Sequence, residues 1–581
     1  MNLGKAKLLF NKESWKRIFK EIASFFKKMR LTVRILSPNE RRIIVILLII
    51  VLVSAVILFR NYYIRLTTTT PQVGGVYREG IIGSPKYLNP VLAKSEIDRD
   101  ICRLLFASLL KYNENGVLSP YLAKEYSISE DQKHYFFKLD ERILWHDKEK
   151  ITSEDVRFTI NLLQQPDYAG PYNTAFDGIQ FRKINEFEFE LILPETNSSF
   201  IQTITLVGIL PKHKLENVSA KSLDKNEFNL NPIGSGRYKL DLKETDLVSD
   251  QIIVLRKADT FGADENGYIE EIDIVAYQNQ GELFEAYKKG EISGFGGFSL
   301  AELSDFDRKK FKIYKVFIPR FSALFFNLEN QHLSELKFRQ AFAHMIDRET
   351  ISDEVYDNEV EILNSPFASF VLGYNPDVKK YTHHPPTSES YLNDLNYFEK
   401  SKEGIKQKDG QELNLVLYTI DDLKLQRVAE LIRQDAEKIG IRITVVVVDL
   451  TILQTEIIPA QAYDMILIGG SLGLPPDPYS YFHSTAMNGG LNISRYKNLK
   501  ADKLLEEARL KSSLDEKGES LRQFANIAAN DLPALFFFNT PYLYGANKTV
   551  KGIPKRVTAE SSSDRFLFIN SWYMKSERVK E

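Results

Sequence analysis

The sequence predicts an α/β protein of two or three domains preceded by one transmembrane helix. Three observations predict it. The chain has 581 residues, 43% of them hydrophobic and 27% charged, a globular composition too long for a single core. Residues 43–59, IIVILLIIVLVSAVILF, form an apolar run without a charge. Beyond Gly74, β-branched or period-two stretches alternate with stretches of helical period.

As a helix, residues 43–59 would span roughly 26 Å, the short end of what crosses a hydrocarbon layer of about 30 Å. Lysines and arginines crowd the flank from Lys5 to Arg42 against Glu13, Glu21 and Glu40. The basic flank of a span stays in the cytosol, which places residues 1–42 inside as a basic tail and everything after Phe59 outside. A cleaved signal peptide is the rival reading. Its apolar core is usually about 7 to 15 residues and ends at a small-residue site, whereas Phe59 is followed by RNYYIRLTTTT. Within the tail, Trp15, Ile18, Phe19, Ile22, Phe25, Phe26 and Met29 recur at helical spacing among lysines and arginines. That pattern suits a basic amphipathic helix on the anionic inner leaflet, the alternatives being a helix packed on a cytosolic partner or a disordered tail. Residues 60–73, with the run Thr67 to Thr70 and then Pro71, read as a short exposed tether.

A net charge of −2 argues against nucleic acid as a partner, since that needs a basic face. The single cysteine, Cys102, leaves the outer domains without an internal disulfide, so their cores must hold them.

The pattern predicts strands over 186–193, 251–256, 269–277, 413–418, 443–449 and 463–468, and helices over 98–110, 153–163, 336–346, 422–438, 500–510 and 516–530. Strand, helix, strand in that order implies parallel pairing with right-handed crossovers. Thr152 with Asp155 has the form of a capping box. Asn231-Pro232 and Gly234-Ser235-Gly236 mark a turn between domains or subdomains, and His383 to Pro386 an extended loop.

Catalytic and metal motifs are weak. Gly469-Gly470-Ser471-Leu472-Gly473 fits the G-x-S-x-G elbow and follows a strand, but an elbow needs a helix directly after the serine, and Leu474-Pro475-Pro476-Asp477-Pro478 opposes one. Adjacent His383 and His384 cannot share a metal as easily as an i, i+4 pair, and Trp145-His146-Asp147 more often forms a turn with its Trp in the core. The expectation is a protein that is not an enzyme and holds no cofactor or metal. The aromatic residues, 12% of the chain, are expected mostly in cores, with some lining a ligand cleft.

Several stretches in chain order resemble one family: Leu88-Asn89-Pro90, Pro120 to Ala123, Trp145-His146-Asp147 with Thr152 to Ile160, Leu210 to His213, Asn231 to Tyr238 and Phe338 to Ile351. Together they are similar to the family 5 extracytoplasmic solute-binding proteins, which deliver oligopeptides, dipeptides or nickel complexes to ABC importers. The resemblance runs from about Gly74 to the C-terminus. It implies a two-lobed periplasmic-binding-protein-like type II fold with an extra subdomain: lobe I from 74–103, 200–320 and 545–581, the subdomain from 104–199 and lobe II from 321–544. It implies a ligand held as an added β-strand by backbone groups, here on Lys94, Ser95 and Glu96 and on Gly470, Ser471 and Leu472. Main-chain pairing supplies affinity without reading a ligand's side chains. Two departures stand out. Related peptide binders often hold the ligand ammonium with an Asp where this chain has Leu474, so Glu96 or Asp477 takes that role or the ligand is not a free peptide. Lys148 stands where a Gly usually follows Trp-His-Asp.

The functional expectation is a membrane-anchored binding protein, monomeric in its outer part, that passes peptides or another small solute to an ABC permease. The alternatives are a ligand sensor or scaffold signalling through the cytosolic tail, and a binder of a non-peptide solute such as a metal complex.

Overall fold

The structure is a computed structural model that describes Lys20 and residues 37–580, apart from 173–174, 198–199, 242–251, 262–266, 304–305, 307–308 and 512. The basic amphipathic stretch from Trp15 to Met29 therefore lies, Lys20 aside, outside the described residues. The chain divides into two compact units, residues 1–71 with 576–581, and residues 72–575.

In the first unit the apolar run sits inside a longer helix, Pro38–Arg65. Ser37 caps it: the Glu40 N–H donates to Ser37 Oγ at 3.4 Å and the Ser37 N–H to Glu40 Oε2 at 2.8 Å. Its 28 residues extend about 42 Å, and by length and composition it is apolar enough to cross a membrane. The tether expected over 60–73 is corrected. Residues 60–65 continue the helix, and Thr67–Gln72 is a strand paired with Lys575–Lys580. Arg578 fastens the turn by donating to Ile64 O at 3.1 Å and Thr67 O at 2.9 Å. A threonine run has strand propensity but needs a partner, and this one lies some five hundred residues away, beyond the reach of a local reading.

The second unit is built on three main sheets. The eight-stranded sheet has the order Arg556–Thr558, Phe311–Phe317, Tyr542–Asn547, Gly294–Gly296, Val76–Ile82, Glu271–Tyr277, Ile252–Lys257, Tyr238–Leu240. The five-stranded sheet has the order Arg442–Val448, Asn414–Ile420, Met465–Ser471, Arg320–Phe326, Ala534–Phe536. A four-stranded antiparallel sheet is formed within residues 123–192.

Parallel pairing is only part of the pattern. Asn414–Ile420 and Arg442–Val448 are parallel, joined by helix Leu423–Ile439, but Ile252–Lys257 and Glu271–Tyr277 are antiparallel. Buried side chains coat both faces of the five-stranded sheet: Leu324, Leu417 and Leu467 belong to one core, and Phe321, Phe325 and Ile466 to another. This is the near-continuous hydrophobic run of a doubly covered strand.

The chain passes between the eight- and five-stranded sheets twice, at Ile318-Pro319 and at Thr540-Pro541. The crossings are laced together. Asn539 Nδ2 donates to Ile318 O at 2.8 Å and Arg320 O at 2.6 Å, and the Arg320 guanidinium returns bonds to Thr540 O at 2.9 and 2.7 Å.

The helix expected over 98–110 is Glu96–Leu105. It stops early because the Gly234-Ser235-Gly236 loop packs against its end: the Gly236 N–H donates to Leu105 O at 2.8 Å and the Ala107 N–H to Ser235 Oγ at 3.1 Å. A Cβ at Gly234 would lie 1.9 Å from Leu105 O, so the approach requires glycine. Leu110–Tyr112 then forms a hairpin with Leu118–Pro120. Nearby, Trp145 is fully buried, and the His146 ring accepts from the Gly234 N–H at 3.2 Å and donates to Gly236 O at 3.0 Å. Lys148 holds the turn at φ +73°, a left-handed conformation that glycine would adopt more cheaply.

Candidate functional site

Ser95 is the N-cap of helix Glu96–Leu105, its Oγ accepting from the Asp98 N–H at 3.0 Å. Lys94, Ser95 and Glu96 are all exposed. The Lys94 carbonyl accepts from Arg99 at 2.7 Å. The Glu96 carboxylate bears on two groups that sequence reasoning missed. It is a hydrogen-bonding neighbour of the Tyr542 hydroxyl, whose pKa lies well above the usual range, from burial first. It also opposes the lowering that burial imposes on Arg320.

Arg320 links this segment to the second predicted one. It is the register partner of Ser471 in the antiparallel pairing of Arg320–Phe326 with Met465–Ser471. On its other edge, Met465–Ser471 pairs with Asn414–Ile420 only from Met465 to Leu467. The Ile420 carbonyl turns away to accept from the Asp422 N–H at 2.7 Å. Ile468–Ser471 thus has no strand on that side among the described residues. The Leu472 N–H donates to Pro319 O at 2.8 Å, and by the alternation of an extended chain Gly469 and Ser471 turn their backbone groups to the open edge. The Ser471 N–H meets the Tyr481 hydroxyl there at 3.1 Å. Gly469 and Ser471 are exposed. Gly470 is glycine for a packing reason: a Cβ there would lie 2.8 Å from Phe321 Cζ and 2.9 Å from Tyr481 Cε1.

Leu472 is buried at 3% exposure. Asp477 is set apart from the open edge. Its side chain is 7% exposed and takes Arg509 at 2.9 Å, while Arg509 lies over the Tyr479 ring at 3.6 Å. An acid so committed is a poor partner for an incoming ammonium. Leu474 is engaged on both sides of its peptide: its N–H donates to Glu560 and its carbonyl accepts from the Tyr112 hydroxyl.

Among the described residues no base is hydrogen-bonded to the serine of the elbow-like motif. Ser471 Oγ donates to Pro319 O at 3.3 Å, and His483 is bonded to Thr485 at 2.7 Å and Glu506 at 3.2 Å. His384 caps helix Pro385–Asp394 instead of lying in an extended loop. Among the described residues no group of three His, Cys, Asp or Glu is placed to hold a metal ion.

A cavity of about 820 Å³ lies beside the loop 474–476, within the size range of ligand sites. Tyr112, Tyr126, Tyr135, Phe370, Leu372 and Leu474 are among the residues that line it. None of the seven predicted site residues lines it. Its walls come from segments distant in sequence, and no local pattern signals such a space.

Two sheets joined by two laced crossings, an open strand edge and a roomy cavity are features that a solute-binding protein can use. Residues 117–493 match the bacterial extracellular solute-binding proteins, family 5, in that family's middle region, and the chain belongs to this family. It is a binding protein of an ABC system and not an enzyme. The chain is 26% identical over 475 residues to the oligopeptide-binding protein AppA of Bacillus subtilis, covering 81% of this chain and 87% of that one. The solved structure of that AppA in complex with a nonapeptide matches with a TM-score of 0.68 at 25% identity, over 87% of this chain and 100% of that one. The dipeptide-binding protein of Escherichia coli is 22% identical over 505 residues, covering 81% and 90% of the two chains. The structure of NikZ from Campylobacter jejuni with Ni(L-His) matches at 24% identity with a TM-score of 0.67, over 86% and 99%; this likeness concerns the fold alone.

Proposed function

We propose that this chain is a membrane-anchored, extracytoplasmic peptide receptor that captures its ligand between two lobes and presents it to an ABC permease. Lobe I is 74–103 with 200–320 and 545–581, the extra subdomain is 104–199, and lobe II is 321–544. The boundary at 544/545 is better placed at Thr540-Pro541, since Tyr542–Asn547 is one strand of the eight-stranded sheet. Helix Pro38–Arg65 is the anchor, with the basic tail in the cytosol.

The open edge at Ile468–Ser471 carries the reading. An extended peptide added there gains main-chain bonds from Gly469 and Ser471, and needs no particular side-chain sequence. Gly469 suits such an approach, because a Cβ at that position meets only Phe321 O, at 3.4 Å, leaving space over the edge. Lys94, Ser95 and Glu96 supply the facing segment, and Glu96 is the exposed acid available to a ligand ammonium. Closure of lobes about connecting strands is the known behaviour of periplasmic binding proteins as a class, and the crossings at Ile318-Pro319 and Thr540-Pro541 are where it would occur here. AppA and the dipeptide-binding protein, named for peptides, support this ligand class.

Native mass spectrometry of the full chain, purified in detergent from its host, tests the proposal. Retained masses that fragment as peptides support it. A retained non-peptide solute, with no stabilisation by added tripeptides, contradicts the ligand class and leaves the family assignment intact.

A further inference from the structure

The 820 Å³ cavity is lined by one buried cation, Lys517 of helix Leu514–Asp531. The residue is 4% exposed. Among the described residues its ammonium has no hydrogen bond within 3.5 Å and no ion pair within 4.0 Å. A Cβ on its neighbour Gly518 would lie 2.8 Å from Leu372 Cδ1, so the helix packs closely against a residue of the cavity wall.

The surroundings do not neutralise Lys517. The acid nearest to it in effect is Asp477, which already takes Arg509 at 2.9 Å. One carboxylate is thus set against two cations. Lys511, also on the cavity wall, pairs loosely with Glu516 at 3.8 Å. Glu130 is on the wall of the extra subdomain and exposed. A desolvated ammonium without a full partner is costly, and burial lowers the pKa of Lys517 to about 8. Tyr126, Tyr135, Phe370 and Leu372 give the same cavity apolar and aromatic lining.

We propose that Lys517 is the anion anchor of this cavity, receiving a carboxylate of the solute while the apolar part of the same solute lies against the tyrosine and phenylalanine walls. An approaching carboxylate supplies the charge-assisted hydrogen bond that the fold withholds. The solute class is therefore an amphiphilic acid, either a peptide with a free C-terminus or a non-peptide carboxylate. The inference rests on the clamp reading above only in that a solute enters between the parts of the molecule.

Calorimetric titration of the full chain in detergent, with Ala-Leu-Phe, its C-terminal amide and 4-phenylbutyrate, tests the inference. Wild type should bind the free tripeptide at least tenfold more tightly than the amide. Lys517→Gln should abolish that ratio with little change for the amide, and Lys517→Arg should keep it. Equal binding of acid and amide by wild type supports the peptide reading and overturns the anchor. Binding of 4-phenylbutyrate alone, weakened tenfold by Lys517→Gln, supports the anchor against the peptide reading. Absence of any Lys517-dependent binding overturns the anchor. Ligand-free melting separates a structural role: Lys517→Gln should melt no lower than wild type, and a lower melt with an unchanged acid-to-amide ratio also overturns it. Should Lys517→Gln fail to fold, the wild-type ratio and Lys517→Arg decide.

Discussion

The backbone N–H of Leu474 donates to Oε1 of Glu560, joining the loop after the open-edged strand to the C-terminal segment. The Leu474 carbonyl accepts from Tyr112 of strand Leu110–Tyr112. One residue therefore ties together three segments distant in sequence. Burial raises the Glu560 pKa to about 8, with the Leu474 N–H opposing the shift and Asp564 adding to it. The folded form keeps its proton where the unfolded chain, near the ordinary glutamate value, has lost it. The contribution to stability is thus complete below about pH 4 and lost as pH rises through 8. Melting temperature should fall between pH 5 and 8, and Glu560→Gln should flatten that slope.

His146 titrates with the opposite sign. Burial lowers its pKa to about 4, opposed by its bond to Gly236 O. The neutral ring both accepts from Gly234 and donates to Gly236, and protonation removes the acceptor. Its contribution is complete above pH 6.5 and is lost as pH falls toward 4. In acid titrations followed by circular dichroism, His146→Gln should remove part of the destabilisation between pH 6.5 and 4.

Adjacent glycines should respond differently. Gly470→Val drives methyls into Phe321 and Tyr481, whose rings stand within 3 Å of the position of Cβ. Overpacking of this kind costs about 1–3 kcal/mol, and denaturant titration should register it. Gly469→Val should leave stability nearly unchanged, because a Cβ there meets only Phe321 O at 3.4 Å, and should weaken ligand binding by crowding the backbone groups of the open edge.

Freeing the Ser471 N–H should strengthen binding. The Tyr481 hydroxyl occupies that donor at 3.1 Å, so an added strand must displace it. Tyr481→Phe removes the competitor, and since a net hydrogen bond is worth about 1 kcal/mol, peptide affinity should rise by up to about fivefold in calorimetry.

Elements with a strong local period were legible in the sequence. Ser153–Leu163 lies where the pattern places it, and the helices Leu336–Met345 and Leu423–Ile439 lie within one residue of it. What escaped was decided at a distance. Residues 106–110 have helical periodicity, yet the Gly234 loop, more than a hundred residues on, ends that helix at Leu105. Thr67–Gln72 looked like a linker because its strand partner is the C-terminus. Of the site, the two predicted segments were reached through resemblance, not through any local signal. Arg320, Tyr481 and Glu560 were missed because a lone Arg, Tyr or Glu carries no motif, and only the register and the crossings give each its place. Asp477 was read as a candidate acid because its cation, Arg509, lies thirty-two residues away on a helix.

Amide hydrogen exchange of the full chain, with and without a saturating peptide, addresses the central claim most directly. Strand addition predicts that the amide of Gly469 slows markedly on binding, while those of Gly470 and Leu472, turned toward Arg320–Phe326 and Pro319, change little. Tight binding with no slowing at Gly469, and protection confined to other segments, would contradict the account.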